Sequence, residues 1–131
     1  MSFINWDASF ETGVPDIDNQ HKKLVNILNK LWDIHNAGGT NESLSPILSE
    51  LIMYTKIHFN NEERHMEVAE YPAIDEHRGL HRDLIAQVAD FEEKLKTGTV
   101  NIDNKLVDFL KNWLTVHILK EDKKYVPYMK K

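Results

Sequence analysis

Apolar residues recur at steps of three and four on four separate stretches of this chain, and that recurrence limits what it can fold into more than any other feature. The stretches carry Leu24, Leu28 and Leu31; Leu44, Leu48, Leu51 and Thr55; Leu84, Val88, Phe91 and Leu95; and Leu106, Leu110 and Trp113. Each is a seam along one face of a helix at heptad-like spacing. Breakers lie between them: NAGGT at 36–40, Tyr71-Pro72, and TGT at 97–99. Asp18 suits an N-cap, Gly38-Gly39 a stop, and Pro46 an early helical position. No stretch alternates as a strand would, and no internal repeat is visible. The expectation is an all-α fold, an up-down-up-down four-helix bundle with short connections. Its helices should span about 19–37, 43–65, 72–96 and 102–119 within a single domain over 1–131. Residues 1–18 should form an ordered arm, since Trp6, Phe10 and Val14 are too apolar to leave free, and Val126-Pro127 should interrupt a short C-terminal tail.

Extending each seam changes its chemistry. Three residues before Leu24 stands His21; three after Thr55 stands His58, then Glu62; three before Leu84 stands His81, then His77; four after Trp113 stands His117. These positions open the first and third helices and close the second and fourth, so in an up-down-up-down bundle they share one end. One layer of the core is therefore polar where leucine is expected. Burying imidazoles and a carboxylate together is costly unless their polar atoms are satisfied. A metal satisfies them at once, and residues four apart on a helix stand close enough to share or bridge ions. Imidazole with carboxylate suits iron, zinc, nickel or copper rather than calcium or magnesium. Asp122 lies five residues after His117, off the face of a regular helix; it can turn inward if the helix ends or loosens near Lys120. Seven donors are too many for one tetrahedral ion, so two ions are the economical reading, with Glu62 and Asp122 as bridges.

Other residues are read as ordinary. His35 sits on the first seam at the far end from the cluster, and His65 near the exit of the second helix. Glu62-Glu63-Arg64-His65 contains the Glu-x-x-His spacing that carboxylate-rich di-iron bundles use on two helices. Here it occurs once, in a histidine-rich setting, which argues against strong oxidation chemistry of that type. The absence of cysteine excludes disulfides, thiolate zinc sites and iron–sulfur clusters. A net charge of −5 and a pI near 5.8 argue against nucleic acid and anionic membrane as partners. The opening residues show no basic segment leading into an apolar run, and no stretch has the length of a membrane span. The chain is expected to be cytoplasmic, monomeric and not inserted in a membrane.

The combination of Trp6, Gly13, IDNQH at 17–21, HFNNEE at 58–63, YPAIDEHRGLH at 71–81 and WLTVHILKED at 113–122 resembles the bacterial hemerythrins, over nearly the whole chain. The resemblance implies reversible O2 binding at two non-heme irons joined by a bridging oxygen. His77, His81 and His117 would hold one iron, His21 and His58 the other, and Glu62 and Asp122 would bridge both. Two six-coordinate irons offer twelve positions. Five histidines, two bridging carboxylates and the bridging oxygen leave one open, on the iron with two histidines. Phe59, Trp113, Leu114 and Ile118 flank the ligands in sequence and would form an apolar wall around O2 that excludes water. The implied role is oxygen storage, transport or delivery rather than catalysis, with an O2-consuming enzyme as recipient. O2 or redox sensing and peroxidase- or oxidase-like activity are the alternatives.

Overall fold

Helix α1 starts at Pro15 and runs to Asn36; α2 spans Asn41–Val68, α3 Ile74–Lys96 and α4 Asn104–Val116. A π-helical turn, His117–Asp122, continues α4 without a break into the short α5, Lys123–Met129. The computed structural model describes Ile4, residues 6–98 and residues 104–129. Among them there is no strand, and the architecture is the helical bundle that the four seams require. The expected start of the fourth helix near Ile102 lies outside the described residues.

Three boundaries shift for local chemical reasons. Pro15 takes the first helical position of α1, where its missing N–H costs nothing. Asp18, expected as the cap, is instead inside the first turn and buried. Its carboxylate accepts from the Thr12 N–H at 2.7 Å, the Thr12 hydroxyl at 2.8 Å and the Gly13 N–H at 3.1 Å. That clamp and the two bonds between Asn29 and the Ile4 backbone tie the N-terminal arm to α1. In α2, Thr40 is the cap and Ser43 its reciprocal partner, so the helix begins two residues before Ser43. Between α1 and α2 the chain needs glycine. A Cβ on Gly39 would stand 2.7 Å from the Ile34 carbonyl oxygen, and Gly38 has φ +90°. At the tail, Pro127 does not interrupt the helix as expected. It lies inside α5, where it removes only the bond that its own N–H would make to the Lys123 carbonyl, and the helix runs on to Met129.

The seams are buried as their spacing predicts. Leu24, Leu28, Leu31, Leu44, Leu48, Leu51, Leu84, Val88, Leu95, Leu106 and Leu110 belong to one apolar cluster, with Phe91 and Trp113 packed against it half-buried. A second, smaller cluster of Ile17, Met66, Tyr71 and Tyr125 closes one end of the bundle. The polar residues lie between the two.

Removing the Asp18 carboxylate would leave the buried N–H and hydroxyl of Thr12 unpaired, along with the part-buried Gly13 N–H. Asp18→Ala is expected to lower unfolding stability by about 2–3 kcal/mol in urea titrations. Asp18→Asn, which keeps one acceptor oxygen, should lose less.

Candidate metal centre

Four elements deliver the polar layer. α1 brings His21, α2 His58 and Glu62, α3 His77 and His81, and the π-turn His117 and Asp122. All seven side chains are buried, and Glu62 and Asp122 have no exposed surface at all. The π-turn resolves the five-residue spacing. Its hydrogen bonds run from i to i+5, which places His117 and Asp122 on the same inward face. The helix thus does loosen between Leu119 and Asp122, and it widens instead of ending.

The carboxylates divide their oxygens. Glu62 Oε1 lies 2.9 Å from His77 Nε2 and 3.0 Å from His81 Nε2, whereas Oε2 lies 3.4 Å from His21 Nε2 and 3.2 Å from His58 Nε2. Asp122 Oδ1 lies 3.1 Å from His77 Nε2 and 3.0 Å from His117 Nε2, and Oδ2 lies 3.0 Å from His21 Nε2. Each carboxylate therefore turns one oxygen to the set His77, His81, His117 and the other to the set His21, His58.

Hydrogen bonding alone does not account for this arrangement. His21 Nε2 and both Asp122 oxygens are buried without a hydrogen-bond partner, although they lie 3.0 Å from neighbours. His81 Nε2 and His117 Nε2 face each other at 3.1 Å. The atoms converge on shared points rather than on one another. Ligands about 2.1 Å from an octahedral ion stand roughly 3.0 Å apart when adjacent and 4.2 Å when opposite. The donor atoms within each of the two groups, Glu62–His77–His81–His117–Asp122 and His21–His58–Glu62, lie within 4.8 Å of one another. The residues present fit a pair of metal ions.

The outer faces of the rings are held as well. Phe59 stacks on His81 with centroids 3.6 Å apart, and Trp113 on His117 at 4.3 Å. The Nδ1–H of His58 donates to Gln20 Oε1 at 2.7 Å, and that of His81 to Glu63 Oε2 at 2.9 Å. A donor engaged at Nδ1 leaves the Nε2 lone pair facing the centre. The buried Tyr125 hydroxyl donates to Glu62 Oε2 at 3.1 Å. Sequence reasoning did not single out Gln20, Glu63 or Tyr125. Their one signal is position: Gln20 precedes His21, Glu63 follows Glu62, and Tyr125 stands three residues after Asp122. His65 is half-exposed, 3.5 Å from Asp16, and neither it nor His35 joins the cluster.

A matching family now joins the geometry. Residues 12–129 match the Hemerythrin HHE cation binding domain. The chain belongs to the hemerythrin family. It is 34% identical over 128 residues to the bacteriohemerythrin of Methylococcus capsulatus, covering 97% of each chain. It is 33% identical to myohemerythrin-1 of Phascolopsis gouldii, covering 92% of this chain and 89% of that one. A crystal structure of wild-type hemerythrin superposes with a TM-score of 0.93 at 32% identity, over 99% of this chain and 100% of that one. Family and cluster together make the buried layer a non-heme di-iron site with O2 as its expected ligand. Hemerythrins bind oxygen and are generally not enzymes. No helix among the described residues is long and apolar enough to cross a membrane.

Without metal, protons hold the layer together. Burial pulls the His21, His77 and His117 pKa values down, but Asp122 and Glu62 outweigh it and raise them to about 9, 9 and 10. For His58 burial wins, and its pKa is lowered. Burial opposes ionisation of Glu62 and Asp122, yet the surrounding imidazoles keep both pKa values low. The three raised histidines bind more protons folded than unfolded above pH 6.5, so their contribution is lost as pH rises through about 9–10. His58 has the opposite sign, but its effect is spent once pH exceeds its ordinary value. The melting temperature of the metal-free protein is therefore expected to fall between pH 7 and pH 10, measured by circular dichroism.

Proposed function

We propose that this chain, acting as one domain, binds O2 reversibly at its di-iron centre and serves oxygen storage, transport or delivery. His77, His81 and His117 would hold one iron and His21 and His58 the other, with Glu62, Asp122 and an oxygen bridge spanning both. The division of the carboxylate oxygens between the two histidine sets supports this assignment. Two irons, when bound, supply two electrons and one open coordination position for O2.

The observation that carries the reading is an interior cavity of about 40 Å³, room for a small diatomic molecule. It is lined by both members of the two-histidine set, His21 and His58, and by His117 alone of the other set. Its remaining walls are apolar apart from Thr55 and include Phe59, Trp113, Leu114 and Ile118. These four side chains support an O2 pocket on the side where the coordination count leaves a position open. The Thr55 hydroxyl already donates to the Leu51 carbonyl at 2.6 Å. The lining thus excludes water and offers no free hydroxyl proton, a setting for holding a ligand rather than converting it. Tyr125, the hydroxyl donor at Glu62, is not among the lining residues.

Protein from iron-replete cells is expected to carry two irons per chain by metal analysis, since seven donors in two groups serve two ions. His77→Ala should lower both iron content and melting temperature. His65→Ala should change stability by no more than about 0.5 kcal/mol and leave iron in place. Iron loss from His65→Ala would mean the centre lies elsewhere.

The functional test is an anaerobic O2 titration. The reduced protein should be nearly colourless and take up about one O2 per iron pair, the number one open position allows. Visible charge-transfer absorption should appear, and argon should reverse it without added reductant. Leu114→Ala enlarges the cavity beside His117 and should accelerate loss to a non-binding oxidised form while iron content holds. Continuous O2 consumption with reductant and no reversible adduct would replace the carrier reading with an oxidase.

A further inference from the structure

The two histidine sets are braced from outside by different chemistry. On the three-histidine side, Glu63 Oε2 accepts from His81 Nδ1 at 2.9 Å, and Arg78 Nε lies 3.3 Å from Glu63 Oε1. The His81 ring lies flat under Phe59, with 2° between their planes, which holds it toward Glu63. On the two-histidine side, Gln20 Oε1 accepts from His58 Nδ1 at 2.7 Å and from Asn61 Nδ2 at 3.1 Å. An arginine stands behind this chain too, with Arg64 donating to Asn61 Oδ1 at 2.9 Å. Arg78 meets Glu63 directly, whereas Arg64 reaches Gln20 through Asn61. At the rings the difference is charge: a carboxylate backs His81 and a neutral amide backs His58.

Both partners fix the ring tautomer and orientation, and Gln20 shows that an amide suffices for that. A carboxylate does something further. It draws the Nδ1 proton toward itself, which makes Nε2 a stronger donor and stabilises the higher charge on whatever metal Nε2 holds. Resting on the ligand assignment above, we propose that Glu63 is a positioning residue that acts through His81. It holds the three-histidine iron at a lower reduction potential than Gln20 and His58 give the two-histidine iron. The ferrous state is then favoured at the iron with the open position. With iron bound, an added outer-sphere one-electron oxidant would take its electron from the three-histidine iron first, with no bond to the protein made or broken.

The test uses the iron-loaded full chain as wild type, Glu63→Gln, Gln20→Glu and the double variant. Each substitution keeps an acceptor oxygen at the ring nitrogen and the side chain's shape while changing its charge; Glu63→Gln also exchanges the oxygen facing Arg78 Nε for an amide NH2. Midpoints come from anaerobic titration with redox mediators, and Mössbauer spectra of the one-electron-oxidised form report which iron is ferric. Glu63→Gln should retain two irons and raise the three-histidine midpoint by a tenfold change in oxidised-to-reduced ratio, about 59 mV for one electron. Gln20→Glu should lower the two-histidine midpoint by a similar factor, and the double variant should reverse which iron oxidises first. Unmoved midpoints, or a shift in the same direction for both single variants, would overturn the proposal. So would iron loss from folded Glu63→Gln, which would mean the charge retains metal rather than tunes it. The potentials are measured without O2, so a failed O2 adduct leaves this result standing, and unmoved potentials leave the O2 titration standing.

Discussion

The rest of the structure depends on a layer of five imidazoles and two carboxylates with almost no access to water. Desolvating such groups costs several kcal/mol per charge unless each finds a partner. Every nearby feature answers to that cost. The His58 and His81 rings turn Nε2 inward because their Nδ1 atoms are engaged outside. The carboxylates face both histidine sets at once. Apolar clusters seal the layer on both sides, with the leucine core below it and Ile17, Met66, Tyr71 and Tyr125 above. A bundle with leucine at these positions would be easier to fold; this one accepts a costly layer because metal ions satisfy it.

The bundle was legible because its cause is periodic. Four seams of apolar residues define four faces, and burial follows them except at Phe91 and Trp113, which stay half-buried. The polar layer was legible for the same reason, since histidine stood where the period calls for leucine. Asp122 marks where periodicity stops helping. An α-helical period sets a residue five positions on at the wrong angle, and only the wide π-turn brings it round. The family resemblance pointed to Asp122 where spacing left it open.

What stayed hidden is chemistry without a period. Asp18 looked like a helix cap, since aspartate before an apolar run is the usual signal. Its carboxylate is spent instead on Thr12 and Gly13, a choice that depends on how the arm folds back. Gln20 and Glu63 each sit beside a ligand in sequence and so point away from that ligand's own face. Each serves a ring on a neighbouring helix instead, His58 on α2 and His81 on α3. Such pairings follow from how helices are packed around one another, which a single sequence does not encode locally.

The proposed function rests on the layer having two unlike sides. Toward the leucine core the two-histidine set meets a cavity whose other walls, apart from Thr55 and His117, are apolar. Toward the bundle end the same Glu62 carboxylate accepts from the Tyr125 hydroxyl. Burial, together with the nearby Asp122 and Glu62 charges, pushes that hydroxyl well above its ordinary range, so it keeps its proton. The Tyr125 hydroxyl thus binds a carboxylate and does not line the cavity. A site meant to cleave O2 needs protons delivered where O2 lies. Here the Tyr125 proton is directed at a Glu62 oxygen, which supports the proposed reading in which O2 is held and released.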